Sequence, residues 1–202
     1  MRLLLVRHGQ SEWNADKRLQ GQADIGLSAK GIAQAQALAD TIARLNPAHV
    51  ITSDLKRARH TAELLGYPDA VLTPGLREIH VGDWQGQRIA DIIAADETRY
   101  LGWRAGTHTP PGGENWAQFV ARCRDTIEAE RGKHRGENLL VVCHGGVIRA
   151  LLDHYLELAP THIIPVGPAS LTALRLPEDA EKGARLELFN YRPVELEFDA
   201  PD

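Results

Sequence analysis

With 202 residues, 43% of them hydrophobic and 25% charged, the chain is long enough to bury roughly 70% of its unfolded surface as one domain spanning 1–202, without disulfides or metal. Its 23 basic and 27 acidic side chains are mixed along the sequence and leave a net charge of −4, which argues against a nucleic-acid binder but leaves room for a local cationic pocket. Cys123 and Cys143 form no CxxC pair, the first apolar run is too short for a signal peptide, and no run approaches the ~20 residues of a bilayer span, so a cytoplasmic protein with no membrane partner is expected.

In chain order, Leu3 to Val6 reads as a buried strand that runs straight into Arg7, His8 and Gly9. Ser28 is a candidate N-cap for a helix from Ala29 to Leu45, whose apolar residues recur at helical spacing, and Asn46-Pro47 stops it. His49 to Thr52 reads as a strand. Ser53 or Asp54 is expected to cap a helix through Leu65, closed by Gly66. Val71 and Leu72 suggest another strand, and the span from Arg88 to Trp103 a helix, followed by the loop THTPPGGEN. An amphipathic helix follows, with Trp116, Phe119, Val120, Cys123 and Ile127 on one face. Leu139 to Cys143 is the strongest strand signal, and Gly145 to Leu156 a helix. Strands from Leu171 to Leu176 and Leu186 to Phe189 complete the pattern, and the last dozen residues read as an acidic surface tail. Such alternation predicts an α/β three-layer αβα sandwich: a mostly parallel (mixed) central sheet with helices on both faces.

Ligands of open α/β sheets bind beyond the carboxyl ends of the strands, where LLLV-RHG and LLVVC-HGG each place a histidine. Side by side, these strands would bring His8 and His144 face to face. The helix beginning near Gly145 would aim free N–H groups and its positive dipole end at the same spot, a ready anion site. Arg57, one turn into its helix, can reach back over the sheet edge, whereas Lys56 and Arg59 read as a solvated face. Arg7 and Arg57 are planar, permanently charged forks that match phosphate oxygens. The loop LREIHVGDWQG offers Glu78 and Asp83 as candidate acids. From the residues alone, a salt bridge between Glu78 and Arg77 or another arginine is an equally good reading. Trp84, Trp103 and Trp116 read better as core aromatics than as a pocket roof, and the remaining histidines as structural or surface residues.

Six segments carry a resemblance: RHGQSEWN (7–14), LQGQADIGLSAKGIAQA (19–35), TSDLKRARHTA (52–62), LREIHVGDWQG (76–86), PPGGENWAQF (110–119) and VCHGGVIRAL (142–151). In content and order they resemble the histidine phosphatase superfamily, the group that includes cofactor-dependent phosphoglycerate mutase, and within it the phosphatase branch. The resemblance implies that His8 is phosphorylated, that Arg7, Arg57, His144 and nearby amides such as that of Gly145 hold the phosphate, and that Glu78 is the acid/base. It also implies that Asn14, Gln20 and Gly21 line the phosphate pocket. Such an enzyme needs no metal or other cofactor, and its partner is a small phosphorylated metabolite; a homodimer is left open.

Four rival readings carry less. Mutases of the family are longer and have an Arg-Arg pair for the substrate's second anion, where this chain has Arg104 followed by Ala105, so hydrolysis is favoured. Cys143 and Arg149 satisfy a Cys-x5-Arg phosphatase spacing, but Val142 and Ala150 replace the flanking residues that family uses. A metal hydrolase would need carboxylates where the strand ends supply arginines. A non-catalytic module that binds phosphorylated ligands has no feature in its favour, since every expected reactive residue is present.

Overall fold

The alternation in Leu3 to Val6 decides how the whole molecule is layered. In the computed structural model, which describes residues 1–134, 136–178 and 182–193, Leu3 and Leu5 point into one hydrophobic cluster, and Leu4 and Val6 into another on the opposite side of the sheet. A strand apolar on both faces is what a sheet covered by helices on both sides requires.

The described strands are β1 (Arg2–Arg7), β2 (His49–Thr52), β3 (Val71–Leu72), β4 (Asn138–Cys143), β5 (Leu171–Arg175) and β6 (Arg185–Tyr191). The helices are α1 (Glu12–Ala15), α2 (Ala29–Leu45), α3 (Lys56–Leu64), α4 (Ile89–Arg104), α5 (Trp116–Lys133) and α6 (Gly145–Leu156). The strands form one sheet in the order β3-β2-β4-β1-β5-β6. β4 lies parallel to both β1 and β2, and β2 to β3, while β5 runs antiparallel to β1 and β6. One face is covered by α4, α5 and α6 through Ile92, Phe119, Ile127, Val147 and Leu151, the other by α2 and α3 through Leu38, Ile42, Ala58 and Ala62. This is the expected three-layer mixed sandwich. Each fully buried Leu or Val contributes about 1.5–3 kcal/mol, which fixes the register that presents the strand ends.

Three local expectations are corrected. The helix after β2 starts later, at Lys56, with Leu55 at the N-cap and no side-chain cap. Neither expected cap is free: Ser53 is bonded to His144, and Asp54 takes a forked pair of bonds from Arg77. The helix expected from Arg88 to Trp103 runs one residue further along and breaks at Asp96, where φ is −165° and ψ 91°. Asp96 Oδ1 accepts the Arg99 N–H at 3.0 Å, so it caps the second half as a new helix. β6 extends to Tyr191, into the expected tail, of which residues 194–202 lie outside the described part. The short helix α1 was not anticipated. It is set by a capping box between Ser11 and Asn14.

Candidate active site

The parallel pairing of β1 with β4 puts Arg7 opposite Cys143, so the next residues, His8 and His144, leave the sheet side by side. Their rings are 5.2 Å apart between centroids, edge to face at 64°. Both are buried. Continuing the strand alternation, Arg7 emerges toward α6 and His8 toward Arg57 of α3.

The hydrogen bonds fix the state of His8. Arg57 Nε donates to His8 Nε2 at 3.2 Å, so Nε2 carries the lone pair and Nδ1 carries the proton it gives to the Gly9 carbonyl at 2.7 Å. Burial first, then the Arg57 and Arg7 charges, hold His8 well below the ordinary histidine range. Burial, followed by Arg57, His8 and Arg7, does the same to His144. Both rings are neutral at neutral pH. His144 Nε2 lies 2.8 Å from Ser53 Oγ, while its Nδ1 is buried without a protein partner.

Arg57 is held on three sides: besides His8 it donates to the carbonyls of Ala23 (2.6 Å) and Gly21 (2.8 Å). Arg7 donates to the Val166 carbonyl and keeps its Nε buried and unpartnered. Burial pushes both guanidinium groups down to about 10, so both keep their charge at neutral pH. Asn14 spends its Oδ1 on Ser11 and leaves its buried Nδ2 unpartnered. Gln20 Oε1 lies 2.7 Å from Ser11 Oγ. Gly21 has φ +52°, and a Cβ there would stand 2.6 Å from Val81 Cγ2. Arg7, His8, Asn14, Gln20, Gly21, Arg57, Glu78 and Gly145 line one cleft open to solvent, and His144 is fully buried outside that lining.

Glu78 does not pair with Arg77, which is taken by Asp54. Its carboxylate accepts the N–H of Ile79 (2.8 Å) and the N–H of Gly146 (3.0 Å) in the first turn of α6. A Cβ on Gly146 would lie 2.1 Å from Glu78 Oε1, which is why a second glycine follows His144. Of the free N–H groups expected at the start of α6, that of Gly146 is therefore taken by Glu78. Asp83 is exposed and does not line the cleft.

Several cleft residues escaped the sequence reading. Arg149 and Arg18 line it, and Ser53 and Thr61 stand behind it, while Trp103 and Trp116, read as core aromatics rather than a roof, both line the cleft and pack against the core. Thr61 Oγ1 accepts the Gly9 N–H and donates to the Arg57 carbonyl, tying the His8 loop to the Arg57 helix. Arg149 donates to the carbonyls of Arg104 (2.6 Å) and Pro160 (3.3 Å), lies 5.8 Å from the Trp116 ring, and keeps its Nε buried and unpartnered. The available signal was that Arg149 stands four residues after Gly145, on the same face of α6. Arg59, expected on a solvated face, is half-buried. Cys143 is fully buried, and burial pushes its thiol well up, which removes it as a nucleophile.

A profile described as histidine phosphatase superfamily (branch 1) matches residues 3–190. The chain belongs to that superfamily. It is 36% identical over 159 residues to phosphoglycerate mutase-like protein 4 of Arabidopsis thaliana, covering 75% of this chain and 69% of that one. It is 37% identical over 157 residues to a metal-independent phosphoserine phosphatase of the same plant, covering 74% of this chain and 66% of that one, just under two thirds of the relative. A solved mycobacterial glucosyl-3-phosphoglycerate phosphatase in complex with VO3 superposes with a TM-score of 0.83 at 35% identity, over 94% of this chain and 98% of that one. A phosphatase activity for this superfamily member is supported by these relatives. No helix among the described residues is long and apolar enough to cross a membrane.

Proposed function

We propose that the protein is a cytoplasmic phosphomonoesterase that hydrolyses small phosphorylated metabolites through a phosphohistidine on His8, without a metal ion. One observation carries the reading. The cleft gathers Arg7, Arg18, Arg57 and Arg149 beside the neutral His8, behind which the neutral His144 is buried, with Glu78 as the one acidic side chain among its lining residues.

The chemistry follows from those positions. A protonated imidazole has no lone pair to give, so the depressed His8 keeps one on Nε2, which attacks phosphorus once the Arg57 N–H that bonds it turns to the phosphate. Phosphoryl transfer depends mainly on alignment and on charge around the equatorial oxygens. Arg7, Arg57, His144, Asn14 Nδ2 and the Gly145 amide supply donors there, and Gln20 and Gly21 shape the wall. As the phosphorus–oxygen bond of the ester breaks, the leaving oxygen takes a proton from Glu78. Water then returns a proton to Glu78 while it attacks phospho-His8, releasing inorganic phosphate. Each Glu78 oxygen keeps a second lone pair beyond its backbone bond, enough for this traffic. Arg149 over Trp116, with Trp103 beside it, suits a leaving group with its own anionic or polar end, as in the phosphoserine and glucosyl-3-phosphoglycerate of the relatives' names.

Turnover of p-nitrophenyl phosphate with and without a chelator tests the reading. Activity is expected to persist in chelator, to vanish in His8→Ala and to survive in Cys143→Ser, with an acid-labile, base-stable phosphoryl adduct trapped on His8. Loss of activity in chelator with recovery on zinc, or an adduct elsewhere, overturns it. Mutase-type transfer is the second reading, favoured by Arg149 standing against Arg104 as a second cation. Rapid primer-dependent interconversion of 3-phosphoglycerate with little free phosphate would select it.

A further inference from the structure

At the opposite end of the sheet, where β2 and β4 begin, two histidines and two glutamates meet. The register pairs His49 with Leu139, so Glu137, two residues before Leu139, extends on the same face of the sheet as His49. On α5 the buried stripe Phe119, Cys123 and Ile127 continues at helical spacing to Glu130 and the C-cap His134. The strand period and the helix period thus deliver both imidazoles to one place. Their rings stack with centroids 3.4 Å apart and planes 25° apart. His49 Nε2 contacts Glu137 Oε2, and His134 Nε2 lies 3.5 Å from Glu130 Oε2, whose other oxygen takes Lys133 Nζ at 2.7 Å.

We propose that His49, His134 and Glu137 form a zinc-class divalent metal site, independent of the catalytic cleft. One ligand atom from each lies within 4.8 Å of the other two, and the three residues are half-buried to exposed. Zinc takes imidazole nitrogen at about 2.0–2.1 Å and carboxylate oxygen at about 2.0–2.2 Å, which puts tetrahedral ligand atoms about 3.4 Å apart. Closing to that spacing needs the stacked rings to hinge apart along one edge and Glu137 to swing, motions that the exposure of these side chains allows. Two imidazoles and a carboxylate are a borderline-soft set that suits zinc, cobalt, nickel or copper better than magnesium. A water fills the fourth position, and Glu130 orients the His134 ring from behind. The ion would clamp the start of β2, the end of α5 and the start of β4, so it acts on stability and not on phosphate chemistry.

Titration calorimetry of zinc chloride into the full chain tests this, with cobalt(II) absorption as a second readout. One saturable zinc per chain is expected, and its affinity should fall at least about tenfold in His49→Ala, in His134→Ala and in the surface substitution Glu137→Gln. Zinc should raise the melting temperature of the natural chain and leave that of His134→Ala unchanged. Cobalt should give d–d bands in the natural chain that each substitution abolishes. Circular dichroism of the metal-free variants establishes that they fold, and Glu137→Gln carries the test should a histidine variant not fold. Phosphatase turnover of His49→Ala should match that of the natural chain. Absence of saturable binding, binding that survives these substitutions, or binding lost on replacing His8 or His144 overturns the assignment.

Discussion

Glu78 and Gly146 show how tightly the chemistry is specified at single residues. The glycine exists to let the carboxylate reach the α6 backbone, and the carboxylate is thereby aimed into the cleft. Glu78→Gln keeps the shape and removes the transferable proton. It should slow turnover about 100-fold or more on alkyl phosphates and less on p-nitrophenyl phosphate, whose leaving group hardly needs protonation. Equal losses on both substrates would remove Glu78 from the acid role. Gly146→Ala should show the same leaving-group signature, because its Cβ would stand 2.1 Å from Glu78 Oε1 and displace it. Normal kinetics in Gly146→Ala would mean that the docked position of Glu78 is irrelevant to the reaction. The sequence made Arg7, His8 and His144 legible because each stands at a strand end, and Arg57 because it lies in the first turn of the helix that follows β2. It could not separate Glu78 from Asp83 by residue chemistry, since that choice depends on the path of a loop that turns at Gly82 with φ +51°.

Elements were legible wherever a repeating apolar pattern or a free capping group marked them. The boundaries of α2, Ala29–Leu45, are the expected ones, and Ser28 Oγ does accept the Gly31 N–H. They were illegible wherever a capping side chain had been recruited elsewhere, as with Ser53 and Asp54, or where an internal residue acted as a cap, as with Asp96. The break at Asp96 matters because the segment after it carries Trp103 to the cleft and Arg104 to Arg149. Asp96→Ala removes the N-cap and should cost about 1 kcal/mol. That corresponds to a fall in melting temperature of about 2–4 °C for a chain of this size. Loosening this segment should raise KM for substrates with bulky leaving groups more than for p-nitrophenyl phosphate. An unchanged melting temperature together with unchanged KM would show that the second half of α4 is positioned by packing alone.

Over the whole molecule, charge is arranged against its own average. The net charge is −4, yet four arginines converge on one cleft, so anion binding is a property of placement that composition could exclude only in its extended, nucleic-acid form. Collecting buried cations around buried histidines has a consequence for folding. His8 and His144 are held well below the ordinary histidine value, chiefly by burial and then by the neighbouring guanidinium charges. In the unfolded chain both would titrate near 6.5. At pH below that value the unfolded chain binds protons that the folded chain refuses, so stability falls as pH falls. The slope approaches about 1.4 kcal/mol per pH unit for each histidine, and continues down to the depressed folded values; above about pH 7 neither residue contributes. Asp54 and Glu187, lowered by their arginine partners, should add a further loss near pH 4 and below. Urea unfolding at pH 7.0, 6.0 and 5.0 measures the effect. The midpoint should drop from pH 7.0 to 5.0, and His144→Asn should shallow the drop by one histidine's share. A midpoint flat from pH 7 to 5 would mean that the two rings accept protons inside the folded site. The same neutrality that readies His8 to attack phosphorus would then be lost too, so the stability profile and the acid limb of the turnover profile should move together.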